Sequence, residues 1–147
     1  MASRRAAREL ALQALYQLDV LGDVGADPTS LALFWEHFDP EADPENRSFA
    51  RELVAGARAE CERIDALIAS AAEHWRLPRL SRVDLNLLRL GVYELLERPE
   101  IPASVTLDEA VEIARRFGSE ESAAFVNGVL DHIARQIDAP GLSRRPT

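Results

Sequence analysis

Three groups of residues in this 147-residue chain have types and spacings suited to chemistry, and in each group the chemistry is binding. Arg4, Arg5 and Arg8 precede the first acidic residue and stand where a helix begins. Their guanidinium groups join the unpaired amides and positive dipole end of that helix, which suits a phosphate. An incidentally basic terminus is the plainer alternative, and both readings stand. Arg82, Asn86, Arg89 and Tyr93 recur at intervals of four, three and four along one helix face. Guanidinium, amide and ring together hold phosphate, read a base edge and stack a base, which is what an unpaired strand requires. The alternative is that Arg82 and Arg89 pair with acids at the rim of a bundle. Third, the run Phe125 to Asp131 sets Asn127 and Gly128 in the body of a helix, where both are poor formers. Close packing on a central helix accounts for Gly128, and capping or bridging of buried backbone groups accounts for Asn127.

Nothing of comparable quality supports catalysis. His37, His74 and His132 are scattered, with no histidine or cysteine three or four residues away, so a metal site built from one helix is not available and no metal is expected. No Gly-rich phosphate loop, Gly-x-Ser-x-Gly elbow or dinucleotide fingerprint occurs, so no cofactor is expected either. Asp108, Glu109 and Glu112 share a helix, but carboxylates there fit a negatively charged first turn. Cys61 is the single cysteine and lies on an apolar stripe, which reads as a small buried side chain and excludes an internal disulfide. The chain is expected not to be an enzyme.

The elements that must position these residues are all helices. Prolines at 28, 40, 44, 78, 99, 102, 140 and 146 separate segments that carry apolar residues at helical spacing and not at the period of two expected for strands. The spacing predicts a helix from about Arg4 to Leu21, ending at Gly22, and a short one after Pro28 carrying Leu31, Phe34, Trp35 and Phe38. Asp39 to Glu45 reads as a solvated loop. From Pro44 a long helix runs to Trp75, with Gly56 marking a bend or a close contact. Arg82 to Glu97 is apolar on more than one side and belongs in the centre of a bundle. Thr106 and Glu109 form a capping box that starts the next helix, which ends at Gly118. A last helix spans about Glu121 to Ile137, and Gly141 to Thr147 at the end read as a frayed tail.

All seventeen cations are arginine, against 25 acids, for a net charge of −8. An acidic body repels nucleic acid on average, so binding of RNA requires a local arginine face, while the remaining surface suits a basic protein. No stretch approaches 18 uninterrupted apolar residues, and the first residues run into an amphipathic pattern, so neither a membrane nor an export pathway is expected.

Four motifs then carry a resemblance: Ala-Arg-Glu-Leu-Ala-Leu-Gln-Ala-Leu-Tyr-Gln from Ala7, Arg-Leu-Ser-Arg-Val-Asp-Leu-Asn-Leu-Leu-Arg-Leu-Gly-Val-Tyr-Glu-Leu from Arg79, Ile-Pro-Ala-Ser-Val-Thr-Leu-Asp-Glu-Ala-Val-Glu-Ile-Ala-Arg-Arg-Phe-Gly from Ile101, and Phe-Val-Asn-Gly-Val-Leu-Asp from Phe125. In this order and spacing they resemble the NusB family of transcription antitermination factors. The resemblance implies an all-α, NusB-like bundle of about six to seven helices in two packed subdomains, about 1–77 and about 78–138, with a disordered tail over 139–147. It implies a cytoplasmic protein that binds single-stranded boxA RNA of nascent ribosomal RNA together with the ribosomal protein NusE. The pair then joins RNA polymerase and the other Nus factors to suppress termination. Carried over by position, the RNA-binding residues are Arg4, Arg5, Arg8, Arg89, Glu121 and Phe125, and the NusE-facing residues are Tyr16 and Asp84. Nothing is carried over onto Leu77 and Pro78, where this chain departs from the pattern. Two other readings stay open: a homodimer that hides the arginine face, and a module related to the N-terminal domain of ribosomal RNA cytosine methyltransferases. The second would need a long catalytic domain, and the chain is expected to be without one at Thr147.

Overall fold

The computed structural model describes residues 4–22, 34–36, 44–73 and 80–142, and among them every regular element is helical, as the period of the apolar residues requires. The helices are α1 (Arg4–Leu21), α2 (Pro44–Ala59), α3 (Cys61–Ala71), α4 (Arg82–Glu97), α5 (Ala103–Phe117) and α6 (Glu120–Gln136). Residues 34–36 are also helical; the rest of the short second helix, Trp75, His37, His74, Leu77 and Pro78 lie outside the described residues. Contacts between Cα atoms divide the chain into two compact units, Met1–Gly56 and Ala57–Thr147. That division falls inside α2, at the helix-interior glycine, whereas the resemblance places a subdomain break near Pro78.

In the first unit, α1 buries Ala7, Leu10, Ala11, Ala14 and Leu15 at helical spacing. Phe49, Ala50, Leu53 and Val54 do the same on α2, and Phe34 and Trp35 meet edge to face at 5.1 Å. In the second unit α4 is the centre. It packs against α3, α5 and α6. It buries Leu85, Leu87, Leu88, Leu90, Val92 and Leu95, which lie around its circumference and not along one stripe. Each such leucine contributes about 1.5–3 kcal/mol relative to an exposed one. Gly91 of α4 allows the approach of α6, since a Cβ there would stand 2.9 Å from Leu130 Cδ1.

Three expectations about elements are corrected. The long helix from Pro44 is broken at Glu60, whose backbone leaves helical geometry at φ −101° and ψ 18°, so that α2 and α3 are separate. The capping box expected at Thr106 does not start α5. That helix begins at Ala103, and Thr106 is buried in its first turn with an Oγ1 that has no hydrogen-bond partner among the described residues. Its leading amides are met from elsewhere in the chain: Ala103 donates to the Pro140 carbonyl at 2.8 Å and Ser104 to the Gly141 carbonyl at 3.1 Å. The residues after α6 are therefore not frayed up to Gly141. Ala139 is buried, and Gly141, at φ 81°, lies so near Pro102 that a Cβ would meet it at 2.6 Å.

Candidate nucleic-acid interface

At the start of α1, Arg4 and Arg8 are one helical turn apart and therefore share a face. Both guanidinium groups stand over the ring of Phe49 on α2, at 4.6 Å and 5.6 Å from its centroid. The negative face of an aromatic ring attracts a cation, by up to about 2 kcal/mol when the pair is desolvated. Arg8 is buried, at 5% exposure, whereas Arg4 and Arg5 are exposed. Arg4 and Arg8 thus share an aromatic support, with Arg5 exposed beside them. Farther along α1, Tyr16, Val20 and Leu21 are exposed at 42%, 60% and 45%, an apolar end to the helix.

The second unit holds a groove of about 460 Å³ lined by Leu80, Ser81, Asp84, Ser119, Glu121, Ser122, Ala124 and Phe125. It forms because two helices begin there. Ser81 caps α4 by accepting from the Asp84 amide at 3.0 Å, and Ser119 caps α6 by accepting from the Ser122 amide at 3.0 Å. Each cap contributes about 1 kcal/mol to its helix. The carboxylates of Asp84, Glu120 and Glu121 stand in those first turns, where the helix dipole favours negative charge. Between the two ends, Ser122 Oγ donates to Asp84 Oδ2 at 3.2 Å. Asp84 Oδ1 is shut off from solvent and has no hydrogen-bond partner among the described residues. The corner leading into α6 is held by Arg115, whose Nε donates to Glu120 Oε1 at 2.7 Å and whose other arm binds Glu112. Glu112 and then Glu120 raise the guanidinium's pKa above its ordinary value through these hydrogen bonds.

The structure therefore brings Asp84, Glu121 and Phe125 together, and separately Arg4 and Arg8. It treats Arg89 differently. Arg89 Nε and Nη2 donate to Asp65 Oδ1 and Oδ2 at 2.9 Å and 3.0 Å, a two-pronged pair that ties α4 to α3. Its remaining nitrogen donates to Asn86 Oδ1 at 3.1 Å, and Asn86, fully buried, donates in turn to the Arg82 carbonyl at 2.8 Å. The polar strip on α4 is thus, for Asn86 and Arg89, an internal network, which is the pairing alternative raised by the sequence. Cys61 belongs to the same network. It is half-exposed, with Sγ 3.5 Å from Asp65 Oδ2, and not the buried apolar side chain its stripe suggests.

On α6 the expectation for Gly128 is also corrected: it is exposed, with nothing within 4 Å of the place a Cβ would occupy, and the glycine in close contact is Gly91. Asn127 and His132 are exposed. Sequence reasoning missed Ser81, Ser119 and Ser122, although Ser-Arg-Val-Asp from Ser81 is a helix-start signature that the spacing to Asp84 carries. Ser122 has no such signal, since its partner Asp84 is 38 residues away. Among the described residues no group of histidine, cysteine and carboxylate side chains is arranged to hold a metal ion, and no helix is long and apolar enough to cross a membrane.

The sequence and fold match known proteins along most of the chain. The family model described as the NusB family matches residues 5–135. The transcription antitermination protein NusB of Sorangium cellulosum is 48% identical over 93% of this chain and 95% of its own, and that of Myxococcus xanthus is 46% identical over 95% and 100%. Among solved structures, T. maritima NusB superposes with a TM-score of 0.80 at 40% identity, covering 92% of this chain and 94% of that one. A crystal structure of the antitermination factors NusB and NusE in complex with dsRNA gives 0.78 at 28% identity, covering 90% and 96%. With the family model spanning both units and relatives this similar over nearly their full length, this chain belongs to the NusB family.

Proposed function

We propose that this protein is a transcription antitermination factor that holds boxA RNA of nascent ribosomal transcripts together with NusE, and that the pair joins the Nus complex on RNA polymerase. Its relatives are transcription antitermination proteins, and one similar structure holds NusB, NusE and RNA together. It works by binding and not by catalysis, as its family does, and the cytoplasm, where transcripts emerge, is its proposed location. The observation that carries the reading is the pair Arg4 and Arg8 on Phe49, a local cationic face on a chain of net charge −8. An acidic body needs such a face to hold RNA and suits a basic ribosomal protein elsewhere.

In this reading the exposed Arg4 and Arg5 neutralise phosphates, Arg8, buried against Phe49, joins them only by leaving that ring, Phe125 stacks a base, and Glu121 accepts from a base edge in the groove. Arg89 joins them only by giving up Asp65. NusE docks on Tyr16 and on Asp84, each within its own unit. The exposed Tyr16, Val20 and Leu21 support a protein interface on α1. They also leave room for self-association, a second reading apart from the homodimer that hides the arginine face, and sizing chromatography across concentrations tests both.

Changing Arg4, Arg5 and Arg8 together to Ala tests the proposal with a boxA oligonucleotide titrated over a range of salt. Three single-strand phosphate contacts correspond to a log–log salt slope of about −2, and two, with Arg8 kept on Phe49, to about −1.4. The triple variant is expected to lose that slope and to bind more weakly at low salt. An unaltered affinity and slope would overturn the assignment of the N-terminal site.

A further inference from the structure

The groove of the second unit joins residues that the proposed function sends to different ligands: Asp84 to NusE, Glu121 and Phe125 to RNA. The link between them is one hydrogen bond, from Ser122 Oγ to Asp84 Oδ2 at 3.2 Å. Ser122 has little freedom to make any other. Its amide is bound to Ser119 Oγ at 3.0 Å, and the Ser119 hydroxyl reaches its Oγ at 3.4 Å. Its side chain also nests on the bare Cα of Gly118, where a Cβ would stand 2.8 Å from Ser122 Oγ and 2.9 Å from Ser122 Cβ. Across the groove, the Asp84 amide is bound to Ser81 Oγ.

Asp84 is only half satisfied. Oδ2 takes the Ser122 proton, but Oδ1 is closed to solvent and has no hydrogen-bond partner among the described residues. A buried acceptor in that state is costly, and because no outside donor reaches an atom closed to solvent, a docked protein relieves the cost by drawing the carboxylate round until Oδ1 meets its donor. A carboxylate is planar, so whatever fixes Oδ1 also fixes Oδ2. Through Ser122 it then fixes the first turn of α6, on which Glu121 stands and from which Phe125 follows one turn later.

Resting on the functional reading above, we infer that Ser122 is a positioning residue that couples NusE docking at Asp84 to RNA binding at Glu121 and Phe125. The coupling is reciprocal: RNA that orders the start of α6 strengthens the Asp84 side by the same factor. Ser122 itself needs no contact with either ligand.

The test uses the full chain, purified NusE and a single-stranded boxA RNA oligonucleotide. The Kd for RNA is measured without NusE and with NusE at saturation, and the ratio of the two is the coupling factor; such factors commonly run from about 5-fold to about 150-fold. Ser122→Ala, which lacks the donor, is expected to bring the ratio towards one, and Ser122→Thr, which keeps the hydroxyl, to restore it. In the wild-type chain, NusE alone should shift the Glu121 amide resonance, and that shift should be lost in Ser122→Ala. A ratio in Ser122→Ala equal to that of wild type, whatever its effect on stability, overturns the inference. A wild-type chain that binds no RNA even with NusE overturns the functional reading, and this result is distinct from the first.

Discussion

At the start of α1 the candidate contact surface is a pair of arginines resting on the ring of Phe49, while at the groove of α4 and α6 it is two serine-capped helix ends bearing Asp84, Glu121 and the ring of Phe125. Among the described residues that line the groove, none is an arginine. The difference separates two jobs that a single patch performs badly together. Guanidinium groups act at a distance and on any phosphate, so they bring a strand to an acidic protein without regard to sequence. Carboxylates repel phosphates, and a groove lined by them admits a base by its donors and its flat face. On the proposed function, affinity then belongs to the first unit and selectivity to the second.

The largest expected effect that would break this division comes from the two phenylalanines. Phe49→Ala removes a buried ring and the support of two cations, and should destabilise the fold by about 3–5 kcal/mol, as read by urea unfolding. Phe125→Ala removes a half-buried ring from the groove wall. It should weaken RNA binding by about 1–3 kcal/mol and leave the salt slope alone. If Phe125→Ala instead flattened the slope, the groove would be gripping phosphate, and the separation of the two jobs would be wrong.

Next in size is Arg89, the residue on which the comparison is sharpest. A charged hydrogen-bonded pair of this kind contributes about 1.5–3 kcal/mol, and both side chains are largely withdrawn from water, at 17% and 23% exposure. Arg89→Ala should therefore lower the unfolding free energy by a comparable amount and leave the salt dependence of RNA binding unchanged. A fall in slope of about 0.7 would show that Arg89 leaves Asp65 for a phosphate.

Arg89 also shows where reading from the chain alone stops. Helical periodicity locates α1, α4 and α6 closely, because amphipathic spacing is a property of neighbours in sequence. Asp65 lies 24 residues from Arg89 and Ser122 lies 38 from Asp84, so neither pairing leaves a local trace. The start of α5 escapes a sequence reading for the same reason. Thr106 and Glu109 have the spacing of a cap, but the amides at the true start are met by Pro140 and Gly141 from the far end of the chain. Arg4 and Arg8 stand out by charge; the ring beneath them, Phe49, reads in sequence only as one more apolar position on α2.

The smallest effects come from two glycines that share a residue type and differ in their surroundings. Gly128 is exposed on α6 with open space where a side chain would go, so Gly128→Ala should gain the full helix-propensity difference, up to about 1 kcal/mol, in thermal or urea unfolding. Gly91→Ala collects the same gain, but its methyl would stand 2.9 Å from Leu130 Cδ1, and Leu130 is fully buried. Overpacking of this kind costs about 1–3 kcal/mol, so the net change should run from neutral to a loss of about 2 kcal/mol. The difference between the two variants cancels propensity and leaves the cost of separating α4 from α6. Because those helices carry the two ends of the groove, Gly91→Ala should also weaken the contribution of Phe125 to RNA binding, while the response to salt, set by the arginines of α1, stays the same. Equal stabilities for the two variants would mean that α4 and α6 are not held at close range, and the groove would then lack the rigid floor on which its selectivity depends.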